Sequence, residues 1–288
     1  MTISPDVRKR VLYGKYLLFR AKSAQAEHNE LSVAVSLLLM HDASELVMLA
    51  AADHLQLGAK WSFMEFWEKV KQTSRKEPGH KIPMDQLNTL RVGFKHKGTL
   101  PHSQTVRDLT PRVEAFCEEV SKDLLGLDFS ELGLADLVSD DEVRKALQEA
   151  QQALKTGDRN KAFLDVRIAF DKLYKLISRD VALIEEPRSI DIPKGGLPSE
   201  VQRELAKLER GLEGFQAAIE DCAQTLNVLM FGIDPVKYRF FIANTPHVSW
   251  TVSGLHHAVL QRDYNNVPDE VFQKCFEFVV EVALNSSQ

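Results

Sequence analysis

Residues 142–177 read EVRKALQEAQQALKTGDRNKAFLDVRIAFDKLYKLI, and the fold class turns on them. Val143, Ala146, Leu147, Ala150 and Leu154 recur at i, i+3, i+4, i+7 and i+11, the signature of one apolar helix face. Gly157-Asp158 stops that helix. A second stripe, Ala162, Val166, Ala169, Phe170, Leu173 and Ile177, predicts another from about 160 to 184, with Lys and Asp on its opposite side.

The same period governs the neighbouring sequence. Val106, Leu109, Val113, Phe116, Val120 and Leu124 predict a helix over 104–125. Val201, Leu205, Leu208, Leu212, Phe215, Ile219, Cys222, Leu226 and Leu229 alternate spacings of four and three, a heptad seam on a long helix of about 199–230. A helix of the same chain is the expected partner for that seam, and a second copy is the alternative. Strand signals are scarce, the best being Tyr238–Ile242 between Pro235 and Pro246, which reads as a short extended piece or a loop. The expectation is an all-α protein of two helical bundles. One hairpin, 146–173, resembles a single tetratricopeptide unit, but no 34-residue period continues it.

A chain of 288 residues suits two domains better than one core. The acidic, glycine-containing stretch 126–141 is the expected boundary, giving domains of about 1–130 and 135–288. Pro- and Gly-rich loops are expected at 73–83 and 185–198. Apolar residues at 44% and charged residues at 27% exclude a disordered or low-complexity scaffold. Cys117, Cys222 and Cys275 stand far apart without a CxxC pair, which argues against a disulfide framework or a zinc ribbon and for a reducing compartment. The apolar runs 33–40 and 46–52 are interrupted by polar residues, so no membrane or export segment is expected, and the expected location is cytoplasmic.

The net charge of −5 is unevenly spread. Residues 1–126 carry 18 basic and 15 acidic side chains, and 127–288 carry 18 and 26. Residues 60–112 concentrate the excess, with 11 basic and 5 acidic side chains plus His80, His96 and His102. A local face could attract phosphate although the whole chain is acidic.

Within that face, 85–101 reads DQLNTLRVGFKHKGTLP. Leu87, Leu90 and Phe94 are expected inward, and Gly98 at the C′ position. Arg91 and His96 are five residues apart, about 140° on an ideal helix, so convergence on one phosphate needs a backbone deviation near Gly93. This segment resembles the HEPN superfamily (higher eukaryotes and prokaryotes nucleotide-binding domains). The likeness rests on four features: the helix LLLMHDASEL at 37–46, a basic loop, the Arg91-x4-His96 pair, and the amphipathic helix after it. It implies a helical bundle, often dimeric, and in many members a metal-independent ribonuclease used as a toxin or defence effector. Arg91 and His96 would then be catalytic, with Glu45 orienting them. Lys81, Lys95, Lys97 and His102 would hold the RNA backbone. His96 suits proton transfer at neutral pH, and Arg91 suits the charge of a pentacoordinate phosphate. No cofactor or metal is implied. The implied partners are RNA, a second copy and an antitoxin-type protein. The family's nucleases usually carry a polar residue directly after the arginine, where this chain has Val92. The alternative is a non-catalytic helical adaptor binding a partner protein or nucleotide.

Other groups read as structural. His41 and Glu45 have the i, i+4 spacing of metal ligands without an HExxH pattern, and a polar contact between helices is expected there. Trp61, Phe63, Phe66 and Trp67 are expected in a core rather than stacked on bases. His256 and His257 are expected on a helix, and Tyr238–Phe241 with His247 as packing. Leu87–Gly93 and Leu226–Gly232 show a faint likeness that would make the second domain a degenerate copy, with Met230 and Pro235 at the positions of Arg91 and His96.

Overall fold

The computed structural model describes residues 3–27, 29–58, 61–179, 198–250, 256–259 and 262–286. The expected loop at 185–198 and the end of the 160–184 helix fall almost wholly outside them. The chain forms two compact units, Met1–Leu137 and Val138–Gln288, both helical.

The first unit is a bundle of α1 (Pro5–Gln25), α2 (Glu30–Leu55), α3 (Phe66–Ser74), α4 (Lys81–Lys97) and α5 (Ser103–Leu125). α2 is its central helix. Leu37, Met40, Ala43, Val47, Met48, Ala50 and Ala51 are fully buried, which explains why its apolar residues spread beyond one stripe. α2 is long and apolar enough to cross a membrane, and 61% of its most apolar stretch is buried. Gly14 lets α1 approach it closely, since a Cβ there would lie 3.0 Å from the Ala43 carbonyl oxygen. Phe66 and Trp67 are wholly buried beside Phe116, and Trp67 Nε1 donates to the Gly79 carbonyl at 2.9 Å. The aromatic group is therefore core, as expected from its spacing.

The split after Leu137 falls inside the expected stretch 126–141, a few residues beyond the expected end of the first domain at 130. Phe129 and Leu132 join the first core, and Lys15 Nζ donates to the carbonyls of Phe129, Ser130 and Leu132. Arg8 pairs with Asp136. The acidic stretch packs on α1 instead of serving as a linker.

The second unit contains α6 (Asp141–Lys155), α7 (Arg159–Ile177), α8 (Ser199–Met230), α9 (Pro235–Asn244) and α10 (Asp269–Asn285). Asp140 and Asp158 cap α6 and α7 by accepting from the amides of Val143 and Lys161. Val143, Ala146, Leu147, Ala162, Val166, Ala169, Phe170 and Leu173 are buried as the period requires. Phe170 meets Phe241 and Phe278, with ring centroids 4.9 and 5.5 Å away.

Three expectations fail here. Tyr238–Ile242 is helix, not strand, because Asp234 caps α9 through the amides of Val236 and Lys237 while Pro235 occupies the first turn. The strands are instead β1 (His247–Trp250) and β2 (His256–Val259), an antiparallel pair, so His256 and His257 are not helical. Among the described residues, no helix of the unit covers the heptad row of α8. Val201, Leu208, Phe215, Ile219, Leu226 and Leu229 are exposed, Leu205 and Leu212 half-buried, and near its end α8 buries Ala223, Asn227 and Val228. The likeness between the halves does not extend to burial either: Leu87 is fully buried, while its counterpart Leu226 is 49% exposed.

Candidate functional site

α4 carries most of the basic face. Its start is tied to α5 through Glu119, which accepts from the Gly79 amide at 2.6 Å and lies 3.3 Å from His80 Nε2. A Cβ at Gly79 would meet that carboxylate at 2.7 Å, so a larger residue there would displace the end of the Glu119 side chain. Its end is closed by Gly98 at φ 65°, whose amide bonds to Phe94 O while Thr99 bonds to Gly93 O. Between these ends the helix is unbroken through Gly93.

That continuity decides the arrangement of the candidate catalytic pair. Arg91 and His96 remain about 140° apart around the axis. Arg91 is half-buried on the side of Leu87 and Met84, while His96 is exposed. The deviation at Gly93 needed to bring them together within one chain is absent. Lys95, four residues after Arg91 and about 40° away, is its neighbour on the helix surface. Arg91, Lys95, His96 and Lys97 have no hydrogen-bond or ion-pair partner among the described residues. Lys95, His96 and Lys97 fill the last turn, where cations oppose the negative end of the helix.

The remaining predicted residues are spread out. Lys81 lies at the other end of α4, exposed, and contributes to holding the Glu77 carboxyl below its ordinary range, behind the larger effect of Lys71. His102 caps α5, its Nδ1 accepting from the Gln104 amide at 3.3 Å, so its ring serves the helix start.

Glu45 does not orient Arg91. His41 Nε2 lies 3.3 Å from Asn88 Oδ1, and Ser44 Oγ lies 3.7 Å from Met84 Sδ, so α2 and α4 run antiparallel. Glu45 then sits toward Met84, and Arg91 is displaced in the opposite direction. With a rise of 1.5 Å per residue the two are about 10 Å apart along the helices. Glu45 instead turns to His41, with Oε2 3.9 Å from Nδ1.

Sequence reasoning missed Asn88 as the residue that pairs with His41. The i, i+3, i+7 spacing of Asn88, Arg91 and Lys95 was the available signal, because it places three polar residues on a ridge beside a buried one. Two clefts, one of about 220 Å³ lined by Lys76, Glu77, Pro78 and Glu119 and one of about 130 Å³ lined by Phe231, Ile233 and Asp234, are not lined by Arg91 or His96. Comparison with protein-family models, curated proteins and solved structures finds no match for this chain.

Proposed function

We propose that this protein acts on RNA as a HEPN-like endoribonuclease, with the Arg91–Lys95 ridge binding a backbone phosphate and a second copy completing the catalytic site. The observation that carries this reading is the set of unpaired cations at the end of α4. Some basic residues elsewhere in the unit are neutralised, Arg8 by Asp136, Lys22 by Glu114 and Lys71 by Glu77. Arg91, Lys95 and Lys97 are left for an external anion. A phosphate-binding arginine and a proton-transferring histidine on opposite sides of one helix cannot act on the same phosphate. Two copies of the helix facing each other can supply Arg91 from one and His96 from the other.

The test is complementation in EDTA. Arg91→Ala and His96→Ala should each abolish cleavage of single-stranded RNA, and an equimolar mixture should regain part of it, because a mixed dimer keeps one site with both native residues. Wild type that cleaves no RNA, or variants that retain full activity, would overturn catalysis.

A second reading, a helical adaptor, is favoured by the exposed apolar row of α8 together with Val92, 38% exposed beside Arg91. Such a protein would bind its partner through α8 with little dependence on salt, whereas phosphate binding through α4 weakens steeply as salt rises.

A further inference from the structure

We infer that His41, Asp42 and Glu45 on α2 form a binding site for a first-row divalent metal ion, for which Zn²⁺ is the best-matched probe. The site is independent of what α4 binds. One ligand atom from each residue lies within 4.8 Å of the others. Exposed carboxylates alone would mean little, and the decisive group is the histidine. His41 is 2% exposed, and its Nδ1 is buried without a hydrogen-bond partner. That nitrogen faces Asp42 Oδ1 at 3.7 Å and Glu45 Oε2 at 3.9 Å.

The ring cannot turn away from this arrangement. It stacks on Phe63, with centroids 4.4 Å apart and planes at 23°. Its other nitrogen, Nε2, is held by Asn88 Oδ1 at 3.3 Å. A carbonyl oxygen accepts only, so Nε2 donates to it, and in the neutral ring Nδ1 then carries the lone pair. A second partner of this kind commonly fixes the tautomer of a metal-ligating histidine. In that form three acceptors face one another, an arrangement that a bound cation would satisfy.

The spacing selects the cation. At 3.7 and 3.9 Å the oxygens are too far from Nδ1 for a shared proton to make a hydrogen bond. Ligands bound at about 2.0–2.2 Å to a tetrahedral zinc lie about 3.3–3.5 Å from each other, so small rotations of two exposed carboxylates close the site. An imidazole with two carboxylates suits Zn²⁺ or Mn²⁺ better than Mg²⁺ or Ca²⁺, which take oxygen ligands. Asp42 and Glu45 are about half exposed, so the ion would keep water in its remaining positions.

The test uses the full chain, freed of metal with EDTA, dialysed, and titrated calorimetrically with ZnCl₂. Wild type should bind one Zn²⁺ at this site. Asp42→Asn and Glu45→Gln, both at exposed positions that leave the fold intact, should each weaken binding at least 10-fold. Asn88→Ala should weaken it about 10- to 100-fold through loss of ring orientation. His54→Ala, further along α2, should leave it unchanged. With Co²⁺, wild type should develop visible d–d bands that Glu45→Gln lacks. The inference is overturned if wild type takes up no stoichiometric Zn²⁺, or if Asp42→Asn and Glu45→Gln bind it as wild type does.

Discussion

His41 of α2 and Asn88 of α4 meet at 3.3 Å, and this contact, with Ser44 Oγ donating to Met84 Sδ at 3.7 Å, sets the register of the two helices. It places Glu45 beside His41 and Arg91 beyond the far side of Asn88.

Removing one partner of this pair should cost more than removing both. Asn88→Ala leaves both ring nitrogens of a buried histidine without protein partners, a penalty of about 1–3 kcal/mol. Replacing both residues by leucine removes the polar groups together and should recover much of that loss. Urea unfolding followed by tryptophan fluorescence in a Trp250→Phe background measures it, since the remaining Trp61 and Trp67 are both in the first unit. Equal losses in the single and double variants would show that the contact does not hold the helices.

The RNA reading makes a quantitative claim about salt. Each Lys or Arg that neutralises one phosphate of a single strand contributes about −0.7 to the slope of log K against log salt. Lys95→Ala and Lys97→Ala should each reduce the slope by about that amount for a single-stranded RNA. Lys22→Ala, at a lysine already paired with Glu114, should leave it unchanged. Titrations at several salt concentrations distinguish these outcomes.

Much of the fold was legible because local periodicity reports burial. Val143 through Ala150, Ala162 through Leu173 and Val106 through Val120 are buried where their spacing requires, while Leu154 is only partly buried. The seam of α8 shows the limit of that inference: a period states that a face is apolar, not what covers it. Tyr238–Ile242 misled because aromatic and β-branched residues favour strands, whereas one N-cap aspartate outweighed them. At the candidate site, spacing alone could place Arg91 and His96 apart, and the structure keeps them so. The pairing of His41 with Asn88 was not legible, because it joins residues 47 apart across two helices.

The exposed row of α8 should drive association. Leu208 is 58% and Phe215 65% exposed on a helix of 32 residues, an apolar face long enough for a two-stranded coil. Phe215→Glu should convert an associating wild type to monomer in sedimentation, with helicity unchanged. A wild type already monomeric at tens of micromolar would assign the row to a different partner.

The thiols should separate by environment. Burial pushes the Cys117 thiol far above its ordinary range and the Cys275 thiol up to about 12, whereas Cys222 is exposed on α8. A thiol reagent should label one cysteine in the native protein and three after denaturation. Labelling of Cys222 should slow as concentration rises if the α8 row pairs with a second copy, since Cys222 belongs to the same heptad.

The second unit should lose stability as acid is neutralised, through Asp165. This carboxyl is buried on α7 beside Lys161, and burial raises its pKa even though the ammonium pulls it down. Lys161, more exposed, is raised by the same hydrogen bond. For the lysine the attraction wins, and for the aspartate desolvation wins. A carboxyl with a raised folded pKa favours the folded state while protonated. Its contribution is full below the unfolded value of 3.8 and is lost as pH rises through the folded value. Asp165→Asn removes that ionisation while leaving a polar group of similar shape. Relative to wild type, the variant should therefore gain stability between pH 3 and pH 7, and the difference should level off once Asp165 is fully ionised. Denaturation curves at four pH values across this range measure it. A difference that stays flat, or that falls with rising pH, would mean that the Lys161 pair outweighs the burial of the carboxylate.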